Sequence, residues 1–213
     1  MSPPPARTRL HGGPGPGPSF SFRLVRGQAR RNSSRSGKTP PGRNPSEADE
    51  EMSEEREAQS PDESTTEITE LMMPGQVNNL GHVFGGVVLS MVDRAAAVTA
   101  MRHARQPCVT VSINRVDFKE PIYSGELVTC AARVHYVGRT SMEIGVGVVA
   151  ENPITGLRRH TNECFLTFVA IDGNSRAMPV PGLKLVTDED RQRFEDGGRR
   201  RENREALEKE LSD

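Results

Sequence analysis

A long apolar segment at residues 78–103 constrains this chain more than any other feature. The segment begins with a polar turn, continues through the pair Gly85-Gly86 and runs into a series of Val, Met and Ala residues. The glycine pair can open a helix, and the apolar residues recur on most helical faces. We therefore predict a helix that is buried nearly all round and that closes near Arg105, before Pro107.

One acidic residue, Asp93, interrupts this apolar series. Residues one helical turn away are small or apolar, and an ionised carboxylate among them is costly unless it is paired or used. A solvated position at the edge of the helix is the alternative interpretation. The first amides of the helix, at Gly85 and Gly86, lack partners within the helix and suit an oxygen that becomes negative. Asp93 is therefore a candidate functional residue.

The composition of the 213 residues divides the chain into three parts. Residues 1–46 contain no Asp or Glu and many Pro, Gly, Ser and Arg residues, and residues 47–63 are acidic. Neither stretch can bury a core. We predict a disordered arm at 1–63, a domain at 64–185 and a charged tail at 186–213 that lies on the surface with a weak helical pattern.

The basic part of the arm, residues 1–46, bears on the predicted cellular location of the protein. It could be a transit peptide that directs the protein to mitochondria, a tail that binds polyanions weakly, or an upstream extension before a natural start at Met52. The extension is favoured, and with it a cytoplasmic location. No apolar run reaches membrane-spanning length, so we expect no membrane partner. Cys108, Cys130 and Cys164 lack CxxC spacing and are predicted to be small buried residues rather than metal ligands or disulfides.

Five segments have the pattern of β-strands, at 64–73, 108–119, 126–137, 140–151 and 158–172. In the second, Val109, Val111 and Ile113 alternate with polar residues, which predicts a strand whose Val and Ile face is buried. One strand, one long helix and four strands joined by short turns predict an α+β fold, an antiparallel sheet wrapped around one central helix. The uncovered sheet edge and sheet face predict association with further copies.

Five motifs occur in order along the chain: NxxGxxFGG, MxDxAAA, SINRVDF, GxxSMEI, and PVPGL followed by TDEDRQRFEDG. Together they resemble the hotdog-fold acyl-CoA thioester hydrolases, especially the brain-type enzymes and their bacterial short-chain relatives, over about residues 67–199. The resemblance implies the hotdog fold and hydrolysis of fatty acyl-CoA to a free fatty acid and coenzyme A. It also implies no metal and no cofactor, with coenzyme A entering only as part of substrate and product.

The resemblance assigns roles to individual residues. The catalytic aspartate of the family maps onto Asp93, the asparagine of its N-x-x-G loop onto Asn78, and its helix-opening glycines onto Gly85 and Gly86. Amides at the helix start would hold the thioester oxygen, while Asp93 acts as a general base on water or attacks directly. His82 stands where relatives often have Asn or Asp, and it could either orient water or fill the turn.

Two segments are candidates for binding the coenzyme A portion of a substrate. The first, which resembles the coenzyme A-contacting turn of the family, consists of Gly138, Arg139, Thr140 and Ser141. Arg139 could pair with phosphate there, and a plain hairpin with a solvated arginine is the alternative. Arg158 and Arg159 form a second cluster. No segment has GxGxxG or P-loop spacing, and no nucleic-acid partner is expected.

In the family, the aspartate and the asparagine loop that face one thioester come from different subunits. The resemblance therefore implies a homo-oligomer, with a dimer as the minimum and a hexamer of three dimers as the expected assembly. Two other functions remain open for a hotdog domain. One is an acyl-CoA-binding or sensing module without turnover, and the other is a hydratase or dehydratase that pairs an acid with a histidine.

Overall fold

A five-stranded antiparallel sheet packs against one 20-residue helix in the computed structural model, which describes residues 57–211. The predicted arm lies outside the described residues, except for residues 57–63. The elements in chain order are α1 (Pro61–Ser64), β1 (Thr66–Leu71), α2 (Gly85–Ala104), β2 (Cys108–Phe118), β3 (Leu127–Val137), β4 (Ser141–Glu151), β5 (Arg158–Ala170) and α3 (Asp188–Glu210). The sheet order is β1-β3-β4-β5-β2, and α2 contacts all five strands. The predicted α+β architecture with a central helix is confirmed.

Helix α2 ends where the sequence predicts. Arg105 adopts a left-handed conformation with φ of 53°, and its N–H donates to the Met101 carbonyl oxygen at 2.9 Å. The face toward the sheet is buried, but Ser90 and Arg94 are exposed and Met101 is 42% exposed. The prediction of burial nearly all round is therefore wrong for a single chain, because one sheet can cover only one side of a helix. No described helix is both long enough and apolar enough to cross a membrane.

Strand β2, at the edge of the sheet, departs from simple alternation. Thr110 pairs with Phe168 of β5, whose side chain is buried in the core beside α2. Residues paired across strands point to the same face of a sheet, so Thr110 lies on the helix side. The register shifts between Thr110 and Ser112 and again between Ile113 and Arg115. Such bulges add a residue to one strand and re-aim the side chains that follow.

The expected burial of the Val and Ile face of β2 is consequently wrong for a single chain. Val109 is 37% exposed, Val111 59% and Ile113 40%. Two physical causes combine: beyond Thr110 the bulges interrupt the two-residue period, and along its whole length an edge strand has a neighbour on one side only. The edge is therefore apolar and open to solvent.

Helix α3 covers part of the outer face of the sheet. Arg200 contacts the buried carboxylate of Glu143 on β4 at 2.6 Å, and Arg204 donates to the Thr167 hydroxyl on β5 at 3.1 Å. Phe194 stacks at a tilt on Tyr136 of β3, with ring centroids 4.8 Å apart. The prediction of a surface tail missed this packing, because the segment is charged throughout and its contacts are made mainly by the stems and heads of arginines.

The start of α3 is tied to the sheet and to α1 through one arginine. Arg133 of β3 donates to Asp190 at 2.7 Å and to Asp62 of α1. Burial alone would raise the pKa of Asp190, but its hydrogen bonds from Arg133 and Thr187 lower that pKa to about 2. The two ends of the described chain are thus joined across one strand.

We expect Gly197→Ala to lower the free energy of unfolding by about 1–3 kcal/mol, because a Cβ there would lie 2.6 Å from the Cβ of Tyr136 and 3.1 Å from Oε1 of Glu143. The adjacent Gly198→Ala is the matched control, since its Cβ would lie at an ordinary 3.5 Å from the Tyr136 ring. Alanine is the better helix former by about 1 kcal/mol, so the control should be neutral or stabilising. Urea unfolding of both variants measures the difference, and equal effects would contradict close packing of α3.

Candidate active site

Asp93 of α2 and Thr110 of β2 form a hydrogen-bonded pair. The Thr110 hydroxyl donates to Oδ1 of Asp93 at 2.8 Å. A hydroxyl that donates to an ionised carboxylate both stabilises the negative charge and fixes its orientation. Asp93 is half-buried and Thr110 is exposed, so the expectation of little water around the carboxylate is wrong for a single chain. The pair faces outward on the flank of α2 beside the apolar edge.

The loop that carries Asn78 is a closed turn. Oδ1 of Asn78 accepts from the backbone N–H groups of Leu80 at 2.9 Å and His82 at 3.2 Å, and its own N–H donates to the His82 carbonyl oxygen at 2.7 Å. Gly81 has φ of +78°, which a residue with a side chain rarely adopts. Because the oxygen of the Asn78 amide is used within the turn, its NH₂ group is the part that can donate to a ligand.

The first residues of α2 line the same cleft as this loop. Asn78, His82, Gly85 and Phe118 line one cleft of about 500 Å³. The first amide with a backbone partner in the helix is that of Val87, which donates to the Phe84 carbonyl oxygen at 2.9 Å. The N–H groups of Gly85 and Gly86 therefore remain available at the helix start. A Cβ on Gly85 would lie 3.1 Å from the Phe118 ring, so a glycine fits this close approach.

His82 is fixed in the turn by a neighbouring loop. Its ring meets the ring of Tyr123 edge to face with centroids 5.3 Å apart, and the two backbones form an isolated β-bridge. The ring thus packs at the wall of the cleft next to Asn78. The geometry allows His82 to contact a ligand in the cleft as well as to shape the turn.

Asp93 does not line the cleft that holds Asn78 and Gly85. It follows Gly86 by seven residues along α2, which corresponds to about 10 Å along the helix axis. Donors that stabilise an oxyanion must lie about 3 Å from that oxygen, and a base must lie equally close to the attacking group. In one chain the predicted catalytic residues therefore form two half-sites: the Asn78 cleft with the helix start, and the Asp93–Thr110 pair.

The two segments predicted to bind coenzyme A do not come together in one chain. Residues 138–140 form the turn that joins β3 to β4, and Ser141, the first residue of β4, pairs with Val169, which in turn pairs with Val109 beside Thr110. Arg158 begins β5 at the opposite end of the 11-residue strand β4, about 35 Å away. Arg139 is exposed on its turn, so only this first segment shares an end of the sheet with Thr110.

Arg159 is committed to ion pairs within the chain. Its guanidinium contacts Glu126 at 2.6 Å and Glu120 at 3.2 Å, and it lies over the ring of Tyr123. The hydrogen bonds that Arg159 donates to the Glu126 carboxylate raise the pKa of Arg159 above its ordinary value. Arg158 instead makes an exposed pair with Glu151 at 2.6 Å. The pair Arg159–Glu126 braces the loop of Tyr123, which holds His82.

Comparison with known proteins identifies the family. The sequence profile described as the Thioesterase superfamily matches residues 80–157. The protein named uncharacterized acyl-CoA thioester hydrolase YkhA of Bacillus subtilis is 39% identical over 128 residues, which are 60% of this chain and 74% of that protein. This chain belongs to the thioesterase superfamily.

Solved structures of the family share the fold. An apo-hexameric acyl-CoA thioesterase is 40% identical, with a TM-score of 0.69 over 71% of this chain and 97% of its own. The acyl-CoA hydrolase of Staphylococcus aureus, solved with butyryl coenzyme A and coenzyme A, is 31% identical, with a TM-score of 0.68 over 73% of this chain and 94% of its own. The hotdog fold implied by the sequence motifs is confirmed.

Variants of the Staphylococcus aureus enzyme draw attention to a residue that sequence reasoning missed. Three solved variants each replace one residue by alanine. The first replaces an asparagine, the second an aspartate fifteen positions later, and the third a threonine seventeen positions after the aspartate. Asn78, Asp93 and Thr110 have the same identities and the same spacing. The alternating pattern of β2 had placed Thr110 on a solvent face, and within the structure its pairing with Phe168 and its bond to Asp93 single it out.

We expect Arg159→Met to lower the free energy of unfolding by about 2–3 kcal/mol, because it would leave the buried Glu126 carboxylate without its cation. Arg158→Met, next to it in sequence, should cost less than about 1 kcal/mol, because its pair with Glu151 is exposed. Thermal or urea unfolding of the two variants measures this contrast. A greater loss with Arg158→Met would contradict the bracing role of Arg159.

Proposed function

We propose that this protein hydrolyses fatty acyl-CoA to a free fatty acid and coenzyme A, in a site shared by two copies of the chain. The observation that carries the proposal is the 2.8 Å hydrogen bond from Thr110 to Asp93, on a helix whose free N-terminal amides lie two turns away. Names of relatives and structural neighbours, which are acyl-CoA hydrolases and thioesterases, support the same reaction. No metal and no bound cofactor enters the proposed mechanism.

The helix start would stabilise the charge that develops on the substrate. When a thioester carbonyl is attacked, its oxygen becomes negative, and the preorganised N–H groups of Gly85 and Gly86 can donate to it. The NH₂ group of Asn78 is the neighbouring side-chain donor in the cleft. His82, packed on Tyr123, would contact the bound thioester or orient water beside it.

Asp93 would supply the base. As a general base it takes a proton from water while the water oxygen bonds to the carbonyl carbon, and it returns the proton to sulfur as the C–S bond breaks. In the alternative, Asp93 attacks the carbonyl itself, coenzyme A leaves, and water hydrolyses the resulting anhydride. The hydroxyl of Thr110 holds the carboxylate in position in both routes.

Two copies would complete the site through the open edge of the sheet. A two-fold axis across β2 places the Phe118 end of one strand beside the Thr110 end of the other, because the paired edges run antiparallel. The cleft of Asn78 and Gly85 in one copy then faces Asp93 of the other. The same contact covers the exposed residues Val109, Val111 and Ile113, whose apolar side chains form an edge that soluble monomers avoid.

The assembly that we propose is a hexamer of three such dimers. It is supported by the hexameric thioesterases among the structural neighbours, including one from Yersinia pestis with 30% identity and a TM-score of 0.51. We further propose a cytoplasmic location and a role in fatty acid metabolism, with mitochondria as the alternative if the basic arm at residues 1–46 is a transit peptide.

Substitutions in the Asp93–Thr110 pair test the chemistry. In an assay that follows free coenzyme A with a thiol reagent, Asp93→Asn should reduce turnover by at least about 10³-fold, because the amide can neither accept a proton nor attack. Thr110→Val should reduce turnover about ten- to hundredfold through loss of one charge-assisted hydrogen bond, and Thr110→Ser should retain most of it.

The same assay separates the alternative functions. Tight acyl-CoA binding without coenzyme A release would indicate a sensing module, and hydration of an enoyl thioester would indicate a hydratase. Near wild-type turnover in Asp93→Asn would contradict the mechanism.

Complementation tests the shared site. Asn78→Ala and Asp93→Ala subunits should each be inactive as pure assemblies, whereas mixed and exchanged subunits should recover activity, because some mixed dimers contain one intact site. Random pairing predicts that about half of the dimers are mixed, so recovery should approach a quarter of wild-type activity. Proven subunit exchange without recovery, or full turnover by a monomer, would overturn the shared site.

A further inference from the structure

Lys119 stands at the mouth of the cleft that contains Asn78 and the helix start. It follows the last residue of β2 and lines the cleft together with Phe118. Its backbone N–H donates to the Thr161 carbonyl oxygen at 2.9 Å, and Thr161 is fully buried with its hydroxyl bound to the Val148 carbonyl oxygen at 3.3 Å. The backbone of Lys119 is therefore fixed to the sheet, while its exposed side chain can move across the opening.

The charges around this opening leave Lys119 without an internal partner. Glu120, the other charged residue that lines the cleft, contacts Arg159 at 3.2 Å. Arg159 also neutralises Glu126, so these three residues together carry one net negative charge. No carboxylate within the described residues lies within 4 Å of the Lys119 ammonium. Lys119 is thus the positive charge at this cleft that the chain does not use to stabilise its own fold.

A second cleft also contains a positive charge, but there the charge already has a carboxylate partner. It measures about 620 Å³ and is lined by Gly86 and Arg94 on the opposite side of the helix start. Arg94, however, forms an ion pair with Glu70 at 2.6 Å and donates to the Ser90 carbonyl oxygen. An anion that entered there would have to displace an existing carboxylate. At the cleft of Lys119 it would not.

We propose that Lys119 binds a phosphate of the coenzyme A portion of the substrate and thereby sets the affinity for acyl-CoA over thioesters that lack phosphates. The inference rests on the proposed function, since it takes the substrate to be an acyl-CoA. Lysine binds phosphate as a mobile point charge, which suits a side chain that spans an opening from a fixed backbone. The role is one of binding and specificity, and Lys119 takes no part in bond making or breaking.

The test compares two substrates with the same acyl group, one attached to coenzyme A and one to pantetheine, which carries no phosphate. Lys119→Ala should raise KM for the acyl-CoA about tenfold and leave KM for the acyl-pantetheine and both kcat values unchanged. The increase should shrink at high salt, because exposed charges are screened. Lys119→Arg should retain low KM, and Lys184→Ala, which removes an exposed lysine outside the cleft, should behave as wild type.

Two results would overturn the assignment: an equal change in KM for both substrates, or no change relative to Lys184→Ala. Failure of the proposed function would be seen separately, as absence of hydrolysis by the wild-type protein. In that case, calorimetry with coenzyme A itself decides the role of Lys119. About tenfold weaker binding in Lys119→Ala supports the site, and equal affinity, or no binding by the wild-type protein, overturns it.

Discussion

A single five-stranded sheet can bury only one side of a 20-residue helix, and this constraint governs the rest of the molecule. Most apolar residues of α2 face the sheet, whereas the charged Arg94 and the apolar Met101 remain exposed. Asp93 lies between these two environments, half-buried at the flank of the helix. A carboxylate in that position can be held by a protein hydroxyl and still meet a ligand, which a fully buried one could not.

The rigidity of α2 keeps two groups of the proposed site apart. The free amides at Gly85 and Gly86 and the carboxylate of Asp93 cannot approach one another, because the helix holds them about 10 Å apart along its axis. A site that needs both groups around one carbonyl must therefore take them from different copies of α2. The open apolar edge of β2 lies beside both half-sites, so the contact that would satisfy the exposed edge is also the contact that would assemble the chemistry.

The outer face of the sheet is covered through charged contacts rather than through an apolar helix face. Helix α3 has almost no apolar residues, yet it is fixed by charged contacts such as Arg200 with Glu143 and by the close approach of Gly197 to Tyr136. Arg133 joins the start of this helix to α1. Arginine suits these contacts because its guanidinium can pair with a carboxylate while its stem and plane pack on rings. Arg200, for example, lies over the ring of Phe165 at 3.9 Å.

The sequence by itself determined the order of elements and the ends of the long helix, and it singled out Asp93 as a candidate functional residue. These follow from local causes: hydrophobic period, glycine and proline at the turns, and an acid in an apolar helix. Tertiary structure decided the facing of β2, the hydrogen bond from Thr110 to Asp93 and the ion pair of Arg159 with Glu126. A bulge shifts which face a side chain occupies, and an ion pair joins residues far apart in the chain. Neither can be read from spacing, because both depend on which strands become neighbours.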